Sequence, residues 1–168
     1  MASNIPNIET QAKIASEAAE SFITHFYDAL NKQHPLSLFY ASTSPLLQAA
    51  GVKPDVSING AAVATPAAYE ALLAPRPRFA VGSWDAQPVS GDYRLGCPES
   101  LLAKPERVSF AVQVSGTVKY AAGEGAGEPV ETAFNEAWLL VPHWEAWGRN
   151  AARGSRRWVV VSQNFRSF

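Results

Sequence analysis

Between residues 107 and 120 polar and apolar side chains alternate. Val108, Phe110, Val112, Val114, Val118 and Tyr120 share one parity, and Ser109, Ala111, Gln113, Ser115, Thr117 and Lys119 share the other. That is the period of a β-strand with one face buried. At ~3.3 Å per residue the strand exceeds ~40 Å. It must therefore curve, and Gly116 is the expected bulge. A strand this long needs a sheet around it and cover on its apolar face. The residues before it supply helices, those after it supply strands, and no βαβ alternation occurs. This order predicts an α+β fold, with helices packed on one face of a curved antiparallel sheet.

The helical part opens with a long amphipathic segment over 9–32. Ala15, Ala19, Phe22, Phe26 and Leu30 recur at helical spacing, widened by Ala18, Ile23 and Tyr27. Pro35 ends it, and a short second helix is expected to use Leu36, Phe39 and Tyr40. Asn59-Gly60 predicts a tight hairpin, because both residues tolerate positive φ. Thr65-Pro66 reads as an N-cap followed by proline at the first helical position, starting a short helix with Tyr69 and Leu72. Further strands are expected over 79–89, 130–141 and 158–165. The last two are apolar on both parities, so one face meets the helices and the other calls for a partner sheet.

Composition narrows the function classes. The chain has 168 residues, 14 basic and 15 acidic, with a net charge of −1. That is one domain's length, and the near balance excludes a broadly basic nucleic-acid binder, though not a local basic patch. A lone Cys97 excludes an internal disulfide framework and a multi-cysteine metal centre. His25, His34 and His143 are dispersed, so neither a metal nor another cofactor is expected. The first residues lack signal-peptide features, and no apolar run approaches the ~18 residues that span a bilayer. No membrane insertion is expected, and the expected compartment is cytoplasm or nucleus.

Several short segments in this order carry a resemblance. Ala18-Ala19-Glu20-Ser21-Phe22 with Tyr27 and Tyr40, Asn59-Gly60 with Val63, and Asp85-Ala86-Gln87-Pro88-Val89 come first. Gly116-Thr117-Val118-Lys119-Tyr120, Phe134-Asn135 and Asn164-Phe165-Arg166-Ser167-Phe168 follow. Over roughly 10–168 the chain resembles the nuclear transport factor 2-like family, in its branch of small subunits of the heterodimeric mRNA export receptor. The resemblance implies a single cone-shaped domain over 1–168, with one long and two short helices on a curved antiparallel sheet. It leaves a flexible start at 1–8 and long loops at 90–106 and 143–157, both longer than the family pattern. It implies a binding protein rather than an enzyme, pairing through its sheet with the related domain of the receptor's large subunit. The heterodimer would meet phenylalanine-glycine nucleoporins and carry mRNA between nucleus and cytoplasm. By position, the resemblance also places Arg166 against an acid of the partner. Ser162 and Asn164 share its strand parity, and Gln113 is expected nearby.

Two alternatives belong to the same fold. One is a homodimeric import carrier for Ran-GDP, which would need a denser acidic hairpin than 121–128 offers. The other is a small-molecule isomerase or dehydratase, for which Glu136 is the only acid at inward strand parity. His25 and Asp28, three apart on the first helix, are within reach of one another. The 143–157 loop carries Arg149, Arg153, Arg156 and Arg157 against Glu145 alone, beside Trp144 and Trp147. Charge that tracks phosphate and rings that stack on bases would suit single-stranded RNA. The bland reading is a solvated hairpin with its tryptophans folded back onto the sheet.

Overall fold

The computed structural model describes residues 5–73, 77–120, 127–149, 151, 153 and 155–168. Most of the glycine-rich connection after residue 120, Arg76, and residues 150, 152 and 154 of the arginine loop lie outside the described residues, as does the start of the 1–8 segment.

The long helix α1 runs Ile8–Asn31. Asn7 caps it by accepting the Thr10 N–H at 2.8 Å. Its buried stripe is Ala15, Ala19, Phe22, Ile23, Phe26, Tyr27, Ala29 and Leu30. The small residues at its start and the rings further on let it cross the sheet at close range. The helix expected around Leu36–Tyr40 is instead two 3₁₀ turns, Ser37–Phe39 and Ala41–Thr43. The helix proper, α2, comes later at Pro45–Ala49, capped by Ser44. Strands β1 (Asp55–Ile58) and β2 (Ala61–Val63) form the predicted hairpin, with Asn59 at φ 50° and Gly60 at φ 84°. Helix α3 spans Pro66–Leu72 behind its Thr65 cap.

Strands β3 (Arg78–Ser90), β4 (Ser109–Tyr120), β5 (Val130–Pro142) and β6 (Trp158–Ser167) complete one six-stranded sheet in the order β2-β1-β6-β5-β4-β3. All neighbours are antiparallel except β1 and β6, which run parallel, with Asp55 opposite Ser162 and Asn164 opposite Ser57. Asn59 ties the hairpin to β6 by accepting the Ser167 N–H at 2.9 Å.

Besides a register shift in β3 between Pro88 and Ser90, two irregularities bend the sheet. The bulge expected at Gly116 lies on its neighbour β3, between Val81 and Ser83, while Gly116 itself pairs with Val81 and Phe134. A glycine is needed there because a Cβ would stand 2.0 Å from the Ala80 carbonyl oxygen. The second irregularity is in β6, where Leu139 pairs with Ser162 but Leu140 pairs with Val160. Val161 is the extra residue. It shifts the alternation, so Val160, Gln163 and Phe165 are all buried on the helix side.

This bulge corrects the expectation of a strand that is apolar on both faces. Part of the apparent second apolar face in β6 is the first face carried past the bulge. The rest is covered by the chain itself. Val141 and Val159 pack outward in a second small core with Ala41, Leu47, Leu101 and Trp144, flanked by Val52, Tyr93, Cys97 and Trp147. Residues 90–106 and 143–148, with 3₁₀ turns at Glu99–Leu101 and Trp144–Trp147, fold back over the upper part of the outer face. Buried Arg107 and exposed Arg94 both pair with Asp92 and fasten the first of these segments. Glu145 fastens the second by accepting from Ser44 Oγ at 2.7 Å and Leu46 N at 2.9 Å. Partial burial opposes its charge, but these bonds and His143 prevail and hold its carboxyl below its usual range. The main core fills the inner face with Phe22, Phe26, Tyr27, Phe39, Phe79, Phe110, Phe134, Trp138 and Phe165.

Candidate partner-binding face

Below the covering loops, the outer face of the sheet is open and its rows are fixed by strand register. One row runs Asp85, Gln113, Ala137, Asn164, Ser57 across β3, β4, β5, β6 and β1. The next runs Ser83, Ser115, Asn135, Arg166, and the row above runs Gln87, Ala111, Leu139, Ser162, Asp55. All four residues expected at a partner interface therefore share this face. Gln113, Asn164 and Arg166 are exposed and Ser162 is half-buried. Gln113, Asn135, Ala137, Asn164 and Arg166, with Glu136, line a shallow depression of about 240 Å³. Ser115 donates to Asn135 Oδ1 at 2.5 Å, which sets one wall. Among the described residues no carboxylate lies within ion-pair distance of Arg166. Asp85, Asn135 and Ser115 were not singled out as partner contacts from the sequence. The alternation of β3, β4 and β5 held the signal, but choosing among outward residues required the register.

A second polar group sits inside the cone. Glu136 accepts from the Tyr27 hydroxyl at 2.6 Å and from Gln163 Nε2 at 2.7 Å. Gln163 in turn accepts from the Tyr40 hydroxyl at 2.5 Å. Burial pushes the Glu136 carboxyl up to about 7, against the two hydrogen bonds, which favour its charge. Burial, with the Glu136 carboxylate second, pushes Tyr27 and Tyr40 well above the ordinary phenol. An acid beside a tyrosine is what an isomerase of this fold would need. Four clefts on the described surface are not lined by Tyr27, Tyr40 or Gln163; Glu136 borders the outer depression but is only 2% exposed, and its network is packed among core rings. Gln163, a polar residue at inward parity only because of the Val161 bulge, was missed for that reason.

His25 and Asp28 do not pair. His25 Nδ1 donates to the Ser21 carbonyl at 2.7 Å, and Asp28 pairs with Lys32 at 3.1 Å. Of the four loop arginines, Arg156 and Arg157 line one cleft beside α1. Arg149 and Arg153 are exposed, Arg156 lies with its guanidinium carbon 5.3 Å from the centre of the Phe39 ring, and Arg157 lies 5.2 Å from that of Trp147. Trp144 is buried, stacked on Tyr93, with its Nε1–H donated to the Leu95 carbonyl at 2.7 Å. Trp147 donates to the Arg157 carbonyl and meets Trp158 edge-on. These tryptophans fold back onto the protein, so Trp144 offers no ring to a base. Among the described residues there is no group of three or more potential metal ligands, and no helix is long and apolar enough to cross a membrane.

No family model and no curated protein matches the sequence. Solved structures do. A chain of the Chaetomium thermophilum Mex67 NTF2-like domain complexed with Mtr2 is 26% identical at a TM-score of 0.81, covering 92% of this chain and 99% of that one. A chain of a Sac3N peptide bound to Mex67:Mtr2 is 25% identical, with the same TM-score and coverage. A structure of Mtr2 itself, at 23% identity and a TM-score of 0.79, shares the fold. With its capped long helix on a curved six-stranded sheet, the chain has the nuclear transport factor 2-like fold and is similar to Mtr2 over 92% of its length.

Proposed function

We propose that the chain is the small, non-enzymatic subunit of a heterodimeric mRNA export receptor. Its outer sheet face would bind the nuclear transport factor 2-like domain of a Mex67-type large subunit. The observation that carries this reading is the end-to-end likeness to a chain of the Mex67–Mtr2 complex, at 26% identity. The open face supports it. Its polar side chains are arrayed on rigid strands, and Arg166 presents a planar fork suited to a partner carboxylate. On this reading the heterodimer engages phenylalanine-glycine nucleoporins, takes up a Sac3N-type peptide and shuttles between nucleus and cytoplasm. RNA contact by the 143–157 loop would be electrostatic, carried by exposed Arg149 and Arg153, since Trp144 is internal. The closed surroundings of Glu136 speak against the isomerase alternative.

The test is co-expression with the corresponding domain of a Mex67-type protein from the same source. The expected result is a 1:1 complex that survives gel filtration at about 1 μM. A folded chain that does not bind that domain even at about 100 μM would overturn the reading.

A further inference from the structure

A basic region with an apolar floor lies on the helix side of the molecule, away from the open sheet face. Ala18, Ser21, Phe22 and His25 of α1 face Ser155, Arg156, Arg157 and Trp158 across a cleft of about 200 Å³. A second cleft of about 140 Å³ continues from it along α1 past Asp28 to Leu38 and Phe39. His25 and Arg156 line both, so the two form one trough.

The two arginines in this trough are held in place. Arg156 rests on Phe39 and Arg157 on Trp147, contacts that fix a guanidinium while leaving its N–H groups free to donate. Among the described residues neither has a carboxylate partner. The His25 ring is fixed by its bond to the Ser21 carbonyl. Beneath them Phe22 and Phe39 are only 4% exposed, whereas Leu38 at the far end is 51% exposed. Preorganised, unpaired cations over an apolar floor recognise an anion attached to an apolar group.

We propose that this trough docks an acidic peptide segment. Its carboxylates would meet Arg156 and Arg157, and a bulky apolar side chain would sit over Ala18, Phe22 and Trp158. Charge placement favours a peptide over a nucleic-acid strand. Glu17, one turn before Ser21, precedes one end and Asp28 lines the second cleft, so a strand with a phosphate at every nucleotide would meet repulsion that a short peptide centred on Arg156 and Arg157 avoids. Of the floor rings, Phe22 and Phe39 are buried and Trp158 is only partly open, so the trough offers no row of faces on which successive bases could stack. The trough shares no residue with the depression around Arg166, so this partner and one on the sheet face can bind together.

The experiment is fluorescence anisotropy on the full chain, alone and in complex with a large-subunit domain. The probe is a labelled Glu-Asp-Phe-Glu-Asp peptide, compared with Gln-Asn-Phe-Gln-Asn and Glu-Asp-Ala-Glu-Asp. The acidic phenylalanine peptide is expected to bind at least about tenfold more tightly than either control, and to weaken with salt. Arg156→Gln should weaken it by about tenfold or more. Ser21→Glu, on an exposed helix position, should do the same by repulsion with the fold intact by circular dichroism, and it decides the matter if Arg156→Gln fails to fold. Equal binding of the neutral peptide, no detectable binding at about 1 mM, or undiminished binding by Ser21→Glu would overturn the proposal. So would a labelled oligouridylate that binds more tightly than the acidic peptide and is displaced by Ser21→Glu.

Discussion

Glu136 occupies a strand position whose neighbours at i±2 are Phe134 and Trp138, and it stays there because Tyr27 and Gln163 supply donors. Its carboxyl titrates at about 7 in the folded chain, against an ordinary value of 4.5. Between these limits the folded state holds a proton that the unfolded state has released. Its contribution is therefore full below the lower value, declines as pH rises, and is gone above the upper one. The decline amounts to about 3 kcal/mol at most. Urea unfolding of Glu136→Gln should show stability flatter between pH 5 and 8 than in the parent, by a sizeable part of that amount. Parallel profiles for the two proteins would remove Glu136 as the source. Arg166 offers the opposite case, an exposed cation with no partner in the described chain. If it meets a buried carboxylate in the heterodimer, Arg166→Glu should weaken the complex by about 2–5 kcal/mol, read by calorimetric titration, with little change in the chain's own stability. An unaltered dissociation constant would place Arg166 outside the interface.

Elements divide by how local their causes are. The α1 stripe, the Asn59-Gly60 turn and the Thr65 cap were legible because each depends on residues within a turn or two of one another. The Ser37–Phe39 and Ala41–Thr43 3₁₀ turns were not, because Phe39 and Tyr40 are placed by the core and by a bridge from Tyr40 to Val160 rather than by helical spacing. The β6 bulge was likewise invisible, since it exists only in the pairing with β5. Two substitutions test this account. Trp144→Ala should cost about 3–5 kcal/mol in chemical denaturation, through the lost ring and the stranded Leu95 carbonyl. A solvated loop tryptophan would cost far less. Gly116→Ala should cost about 1–3 kcal/mol, because the added methyl meets the Ala80 carbonyl across the sheet. A neutral result would mean that β3 yields locally and that Gly116 does not fix its path.

At the scale of the molecule, the covered upper face and the polar lower face change what the isolated chain should do. An apolar outer sheet would leave it self-associating. With Val141 and Val159 already under Leu101 and Trp144, and Gln113, Ser115, Asn135 and Asn164 on the open part, the chain alone should remain soluble. Light scattering at about 50 μM should find a monomer that becomes a heterodimer on adding the partner domain. Large self-assembled species would contradict that picture. The sequence by itself determined the class of fold, since helical and strand periodicities follow from local geometry and their order admits few layer arrangements. It also placed Arg166, Asn164 and Ser162 on one strand parity, because alternation is a local rule. The tertiary structure alone decided the register that sets the expected Gln113 in one row with Asn164, that Glu136 is buried against Tyr27, and that Trp144 and Trp147 pack back onto the protein instead of standing clear of it. Those outcomes depend on strand register and on long-range packing, where residues distant in the chain compete for the same surface and neither sequence neighbourhood records the result.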